Sequence, residues 1–145
     1  MNDNTMPAAF APPVAHRPRI VVGLSGGIDS TVCALLLKEQ GFDVLGVTLR
    51  LCPCDDADSA QKSCRGPDAA SMAASVAAQR GIRHYVMDCR ERFERDVLRP
   101  CWRDFESGAT PNPCVRCNAD VRFDEMLGLA RKLGADLVAT GHYAR

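Results

Sequence analysis

Residues 23–30 read GLSGGIDS, and they join the β-branched run RIVVGL (19–24) to DSTVCALLLKEQ (29–40), which has apolar residues at helical spacing. The run has the profile of a buried parallel strand, and Gly41 follows the helical segment as a C-cap. Adjacent glycines let the backbone turn tightly and bring several N–H groups close to an anion, at the positive end of the next helix. The stretch therefore predicts a strand, a phosphate-binding loop and a helix. For SGG alone, a turn that binds nothing is an equal alternative.

The same alternation of strand and helix continues outward from this loop. Further strands are predicted at 42–51, 82–88 and 136–140, and further helices at 67–80, at 91–107 with a break at Pro100, and at 118–133. A polar loop is predicted at 52–66 and a turn at 109–113. This order is typical of βαβ units, so we expect an α/β fold with three layers, αβα, around a doubly wound parallel sheet. The chain ends just after its last strand, which predicts a sheet that is incomplete at the C-terminus.

Composition narrows the classes of protein to which the chain can belong. Its 145 residues include 18 Lys and Arg against 18 Asp and Glu. This balance gives no global positive field, so any contact with nucleic acid must be local. Residues 1–18 are rich in Pro and Ala without an apolar h-region, which predicts a disordered tail before a domain at 19–145. No run approaches the ~20 apolar residues that span a bilayer, so we expect a cytoplasmic protein with no membrane part.

The polar residues of the loop indicate what it binds. Ser25 and Ser30 add hydroxyl donors, and Asp29 is suited to hold Mg²⁺ against phosphates. The loop lacks the GKS or GKT ending of a Walker A motif and the G-x-G-x-x-G spacing of a dinucleotide fold. The sequence therefore predicts a nucleotide site of another type.

SGGIDS (25–30) closely resembles the SGGxDS signature of the PP-loop ATP pyrophosphatases, which have an adenine nucleotide alpha hydrolase-like fold. Their members cleave ATP between the α- and β-phosphates and transfer AMP to a substrate oxygen. Three longer stretches are similar, in order and spacing, to the tRNA-uridine 2-sulfurtransferases, the MnmA or tRNA 2-thiouridylase family. They are GLSGGIDSTVCALLL (23–37), GATPNPCVRCNADVRF (108–123) and LGADLVATGHYAR (133–145).

The resemblance implies ATP-dependent 2-thiolation of the wobble uridine of tRNA. ATP adenylates the C2 oxygen, and sulfur comes from a protein persulfide supplied by a relay protein or a cysteine desulfurase. Full-length relatives continue into two β-rich domains and carry the persulfide cysteine beyond the point where this chain ends. The alternatives are therefore another PP-loop sulfurtransferase, or a truncated fragment that binds ATP and tRNA without catalysis.

Position by position, the resemblance also implies which residues form the site. Leu49, which stands where the family usually has Met, would pack near the adenosine, and Gly141 would bring its backbone close to the nucleotide. Cys117 matches the first catalytic cysteine. The ATP-binding residues implied are Gly23, Leu24, Ser25, Gly26, Gly27, Ile28, Asp29, Ser30, Leu49 and Gly141, and the residues that contact the tRNA base are Asn112, Pro113 and Cys114.

Eight cysteines without a secretion signal favour thiol, redox or metal chemistry over a disulfide framework. Cys114 replaces an acidic residue that is common in the family, so that Cys114 and Cys117 form a C-x-x-C. This pair could be half of a zinc site or part of an iron–sulfur cluster. The candidates for further zinc ligands are Cys52, Cys54 and Cys64.

The nucleophile interpretation of Cys117 needs a thiolate. A helix that begins near Asn118, with Arg116 and Arg122 close by, would favour that charge. The arginine-rich segment 90–103 has two interpretations, contact with tRNA phosphates or a solvated helix face.

Overall fold

The computed structural model describes residues 17–51 and 67–142. Within them, four parallel strands form one sheet in the order β3-β2-β1-β4. The strands are β1 (Arg19–Gly23), β2 (Asp43–Arg50), β3 (Arg83–Asp88) and β4 (Leu137–Thr140). The predicted α/β class and parallel sheet are confirmed, and each predicted strand end lies within one residue of the observed one. The predicted loop at 52–66 and residues 1–16 of the predicted tail lie outside the described residues.

Helices fill the connections between the strands. α1 is Ile28–Glu39, and α2 is Pro67–Gln79. α3 runs without interruption over residues 90–106, and α4 over residues 113–132. Each of the two has a π-helical turn between α-helical sections, and these turns are Glu94–Leu98 in α3 and Asn118–Arg122 in α4.

Both faces of the sheet are covered, as the continuous apolar runs of the strands require. Adjacent residues of a strand point to opposite faces, and Val21 and Val22 are both completely buried. Val22 packs in a cluster with Ala34 of α1 and Ala77 of α2. Val21 packs in a second cluster with Met126 of α4. The molecule therefore has the three layers predicted.

A third cluster lies where α3 and α4 meet the carboxyl ends of β2 and β3. Its members come from four elements or their immediate continuations, which places the helix pair over this edge of the sheet. They are Leu51, Cys89, Phe93, Val97, Cys101, Cys117 and Val121.

The predicted break at Pro100 is wrong, because α3 continues through it. Pro100 lies in the first turn of the section Arg99–Glu106, directly after the π-helical turn. Proline has no N–H and crowds the carbonyl four residues earlier, which belongs to Asp96. The wider π-helical turn absorbs this crowding without ending the helix.

The predicted start of the last long helix at Asn118 is also wrong. Asn112 caps α4, since its side-chain Oδ1 accepts hydrogen bonds from the N–H groups of Cys114 at 3.0 Å and Val115 at 3.3 Å. Pro113 occupies the first turn, where the missing N–H costs nothing. The Pro-Asn-Pro sequence reads as a turn, yet it is a capped helix start, and both cysteines of the C-x-x-C lie inside the helix.

We predict that Gly128→Ala stabilises the fold. Gly128 lies in the α-helical section Phe123–Lys132, and an added Cβ there meets nothing within 4 Å. Alanine lowers the entropy of the unfolded chain and is expected to raise the free energy of unfolding by about 1 kcal/mol in urea denaturation. Gly134→Ala is the matched control, because it also faces open space but has φ +62°, and we expect it to destabilise. A destabilising Gly128→Ala would contradict the helical assignment.

Candidate active site

The loop after β1 lies at the carboxyl end of the sheet, where parallel α/β folds bind ligands. The Leu24 N–H donates to the Val47 carbonyl at 2.7 Å, so the chain stays paired with β2 for one residue beyond β1. Gly26 then turns with φ +74°, and a Cβ at this position would lie 2.7 Å from the Ala69 carbonyl oxygen of α2. Only glycine fits here, which leaves bare backbone at the surface of the loop.

Two serines fix the shape of the loop. The buried Ser30 hydroxyl donates to the Gly27 carbonyl at 3.1 Å and lies 2.9 Å from the Ser25 hydroxyl, which therefore donates to it. The Ser25 N–H also donates to Ser30 Oγ at 3.1 Å, and the Gly27 N–H donates to Ser25 Oγ at 3.3 Å. Ser30 thus acts inside the loop, whereas Ser25 is half-buried and faces its outer side. This network holds the backbone ready before a ligand arrives.

The N-terminus of α1 completes the anion site. No side chain caps this helix at Gly27, and Asp29 lies exposed in its first turn. A helix of 12 residues carries partial positive charge at this end, and its first N–H groups have no partner within the helix. The backbone-lined turn and the helix end together fit a phosphate group.

Gly141 closes the loop from the neighbouring strand. A Cβ on Gly141 would lie 2.7 Å from the Ser30 backbone nitrogen and 2.8 Å from the Asp29 carbonyl carbon. The carbonyl oxygen of Thr140 also accepts a hydrogen bond from the Cys33 thiol of α1, at 3.6 Å. The structure therefore brings together the two parts of the predicted ATP site that are furthest apart in sequence.

Thr140 and Phe123 are neighbours of this site that the sequence did not indicate. Thr140 Oγ1 lies 2.8 Å from Nδ1 of the exposed His142, and the His142 ring centroid is 6.1 Å from that of Phe123. Phe123 belongs to α4, so this contact links α4 to the end of β4. Only the spacing Thr-Gly-His could have indicated the Thr140 contact, and nothing in the sequence indicated Phe123.

Leu49 lies one strand away from the loop. It is half-buried on the α4 side and packs against both the cluster around Met126 and the cluster around Cys117. It therefore joins the two clusters at the carboxyl edge of the sheet. Its predicted contact with the adenosine stays a prediction.

The two cysteines of the C-x-x-C have opposite environments. Cys114 is exposed, whereas Cys117 is only 5% exposed and packs with Leu51, Cys89 and Cys101. Burial raises the pKa of Cys89 to about 11, which keeps that thiol protonated. Of the two, Cys114 is the thiol that a partner can reach in this conformation.

Two reasons given above for a Cys117 thiolate need correction. Cys117 lies a full turn inside α4 and not before its start, so it is not at the positive end of the helix. The Arg116 guanidinium donates to Asp104 Oδ2 at 3.2 Å, so part of its positive charge is balanced. The assignment of Cys117 therefore stays a prediction that rests on the sequence match.

Metal ligands and membrane segments can be assessed only for residues 17–51 and 67–142. Within these ranges no group of three His, Cys, Asp or Glu side chains could hold a metal ion. The candidate ligands Cys52, Cys54 and Cys64 lie outside the described residues, so the zinc and iron–sulfur hypotheses stay predictions. None of the helices in this part of the chain is long and apolar enough to cross a membrane.

Comparisons with known proteins agree with this geometry. The model of a family described as "tRNA methyl transferase HUP domain" matches residues 18–145. The "tRNA-specific 2-thiouridylase MnmA" of Deinococcus radiodurans is 46% identical over 143 residues, which cover 96% of this chain and 38% of the relative. The chain thus spans well under half the length of this relative.

Two solved structures share the fold. A glutamine-dependent NAD⁺ synthetase from Acinetobacter baumannii, in complex with ADP, has a TM-score of 0.59 at 19% identity. The matched region covers 83% of this chain and 21% of the synthetase chain. The second is the U34-tRNA thiolase NcsA from Methanococcus maripaludis with its [4Fe-4S] cluster, which has a TM-score of 0.58 at 20% identity. The matched region covers 88% of this chain and 39% of the thiolase chain. At these identities the likeness shows the fold alone.

Proposed function

Because the chain belongs to the family of the tRNA methyl transferase HUP domain and the MnmA 2-thiouridylases, we propose that it is the ATP-binding part of a tRNA sulfurtransferase. The observation that carries the proposal is the SGGIDS loop, preformed by its two serines and closed by Gly141. ATP and tRNA are the proposed substrates, and a persulfide protein is the proposed sulfur donor. A tRNA substrate agrees with the cytoplasmic location expected from the sequence.

The loop's part in the reaction is to bind and orient ATP. Backbone N–H groups at Gly26 and in the first turn of α1 would hold the β- and γ-phosphates, so that pyrophosphate is stabilised as it departs. Asp29, exposed in the first turn of α1, would hold Mg²⁺, which would offset the negative charge of the phosphates. Gly141 lets β4 approach closely enough to keep the first turn of α1 in place.

Thiolation then proceeds in three steps. The C2 oxygen of the wobble uridine attacks the α-phosphorus, the bond to the β-phosphate oxygen breaks, and pyrophosphate leaves. The terminal sulfur of the persulfide next attacks C2, and AMP leaves with the former uridine oxygen, so that C2 is joined to the donor cysteine through an S–S bond. A second cysteine thiol then attacks the donor sulfur, which releases 2-thiouridine and leaves a disulfide between the two cysteines. Asn112, Pro113 and Cys114 are proposed to contact the base, and Cys117 to take part in sulfur delivery.

An iron–sulfur cluster is a second candidate for the role of the cysteines. NcsA, which shares the fold, carries a [4Fe-4S] cluster, and the C-x-x-C could supply two ligands. Cys114 is exposed and Cys117 buried, so a cluster would need α4 to turn and further ligands from outside the described residues. Iron and sulfide analysis of anaerobically purified protein decides between the two roles.

Calorimetric titration with ATP and Mg²⁺ tests the loop. Ser25→Ala removes the hydroxyl that holds the Gly27 N–H, and Asp29→Ala removes the proposed Mg²⁺ ligand. Each change is expected to weaken ATP binding about tenfold, because Ser25→Ala removes a hydrogen bond that shapes the loop and Asp29→Ala removes a contact to the metal. Ser75→Ala on the exposed side of α2 is the matched control and should bind as the wild type does. Equal affinity for ATP in all four proteins would show that this loop does not bind ATP.

Nucleoside analysis separates the proposed reaction from its alternatives. Mass spectrometry of tRNA from cells with and without the gene should show 2-thiouridine only with it. Another thionucleoside in its place would indicate a different PP-loop sulfurtransferase. A further measurement tests whether the chain acts alone. Pyrophosphate release in the presence of tRNA is compared between this chain and one extended past Arg145 to the length of the relatives.

A further inference from the structure

The last turns of α3 carry an exposed aromatic pair that the proposed function has not used. Trp102 and Phe105 are each 64% exposed, and their ring centroids lie 6.1 Å apart with a tilt of 33°. Leu98, one turn earlier, is 41% exposed. We name these three residues the aromatic face. Val97 and Cys101 of α3 are already buried against α4 and the sheet edge, so α3 does not need the aromatic face for its own packing.

The two carboxylates beside the aromatic face, Asp104 and Glu106, each have a hydrogen-bond partner. The indole N–H of Trp102 donates to Glu106 Oε1 at 3.0 Å, and the Asp104 carboxylate accepts from Arg116 at 3.2 Å. No acidic residue occurs between Glu106 and Asp120. Arg103 forms no ion pair within the described part of the chain. This end of the helix pair therefore suits an anionic, aromatic ligand.

The aromatic face lies beside the turn that is proposed to contact the tRNA base. The ion pair between Asp104 and Arg116 joins the end of α3 to the first turn of α4. That turn begins with Asn112, Pro113 and Cys114. The residues between α3 and α4 are 107–112 only, so the aromatic face and the tripeptide are at the same end of the helix pair.

We infer that Trp102 and Phe105 are a stacking platform for unpaired nucleobases of the tRNA anticodon loop, next to the wobble base. Proteins recognise unpaired RNA mainly by stacking bases on aromatic side chains, with arginine neighbours to contact phosphate. The Trp102–Glu106 hydrogen bond holds the indole in place, which lowers the entropy cost of stacking. This inference rests on the proposed function and extends it to the bases that flank the modified one.

Tryptophan fluorescence tests the platform directly, because Trp102 is the only tryptophan of the chain. We expect an RNA hairpin with an anticodon loop to quench the emission in a saturable way, and a blunt duplex of equal length to quench it little. Phe105→Ala should weaken hairpin binding about tenfold, the value of one lost stacking contact. Leu36→Ala, which removes an apolar side chain of α1 that is 51% exposed, is the control and should change nothing.

A pair of substitutions distinguishes stacking from apolar docking of a protein. Trp102→Phe keeps a ring, whereas Trp102→Leu keeps apolar bulk without one. In the extended enzyme, Trp102→Leu is expected to raise KM for tRNA about tenfold with KM for ATP unchanged, and Trp102→Phe to stay close to the wild type.

Several results would overturn the inference. These are equal KM values for the Leu and Phe variants, quenching by the duplex as strong as by the hairpin, and emission that changes with protein concentration in the absence of RNA. The last would identify a second copy of the chain as the occupant. None of them bears on whether the extended wild-type enzyme makes 2-thiouridine, so the proposed function is tested separately.

Discussion

Replacing Gly141 with alanine is expected to weaken ATP binding about a hundredfold. The added Cβ would lie 2.7 Å from the Ser30 nitrogen and 2.8 Å from the Asp29 carbonyl carbon, and both are backbone atoms of the anion site. Backbone atoms cannot rotate away as a flexible side chain does, so β4 and the first turn of α1 must separate. A displacement of about 1 Å at a site of this kind can cost a factor of about a hundred.

Calorimetry with ATP, together with circular dichroism to confirm folding, measures this effect. Gly128→Ala serves as the control, because it makes the same chemical change where nothing lies within 4 Å. Overpacking at Gly141 is also expected to lower the free energy of unfolding by about 1–3 kcal/mol. If Gly141→Ala binds ATP as the wild type does, Gly141 does not shape the nucleotide site.

Replacing Arg92 with glutamine is expected to loosen the helix pair and destabilise the fold by about 2 kcal/mol. The Arg92 guanidinium lies 2.6 Å from both Glu125 and Asp124, and it donates to the Asp120 carbonyl oxygen at 2.9 Å. That carbonyl belongs to the π-helical turn of α4. Hydrogen bonds to Glu125 and Asp124 raise the pKa of Arg92 above its usual value, so the guanidinium is charged at every accessible pH.

The destabilisation follows from the groups that Arg92→Gln leaves behind. Two neighbouring carboxylates repel each other without the guanidinium, and hydrogen bonds to charged groups contribute about 1.5–3 kcal/mol each when well formed. Arg92 is partly exposed, with 29% of its side chain accessible, so we take the lower part of that range. The melting temperature should fall by roughly 5 °C.

Arg95→Gln is the matched control on the same helix. Its side chain is 67% exposed and, among the described residues, forms an ion pair only with the adjacent Asp96, so its loss should cost under about 0.5 kcal/mol. Alkylation followed by peptide mass spectrometry gives a second readout. Cys117, which α3 covers, should react faster in Arg92→Gln and at the wild-type rate in Arg95→Gln. Equal melting temperatures and equal Cys117 reactivity in the two variants would show that Arg92 does not hold α3 and α4 together.

Local patterns predicted the sheet and the loop well. Strand ends agree to within one residue because β-branched runs bounded by glycine and polar residues determine them locally. The anion site follows from Gly26 and the helix start after it, which are adjacent in sequence. The pairing of Gly141 with the loop came from the family resemblance, and the contact with Ser30 now supplies its physical reason.

The helix pair was predicted less well, because its structure depends on wider context. Pro100 indicated a break, and only the π-helical turn before it shows how the helix continues. The Pro-Asn-Pro sequence predicted a turn although it contains a helix cap, because asparagine is common both in turns and at helix N-caps. Spacing alone made Cys114 and Cys117 equivalent, whereas burial against Leu51 and Cys101 distinguishes them. Contacts between distant elements of this kind leave no periodic signal in the sequence.

In the proposed reaction, ATP bound at the SGGIDS loop activates the C2 oxygen of uridine. A tRNA whose wobble uridine carries ¹⁸O at C2 tests it in one measurement, with the extended enzyme, ATP and a persulfide donor. We predict that the AMP released carries the label, because its phosphate leaves with the uridine oxygen. Unlabelled AMP formed together with 2-thiouridine, or ADP as the product, would contradict it.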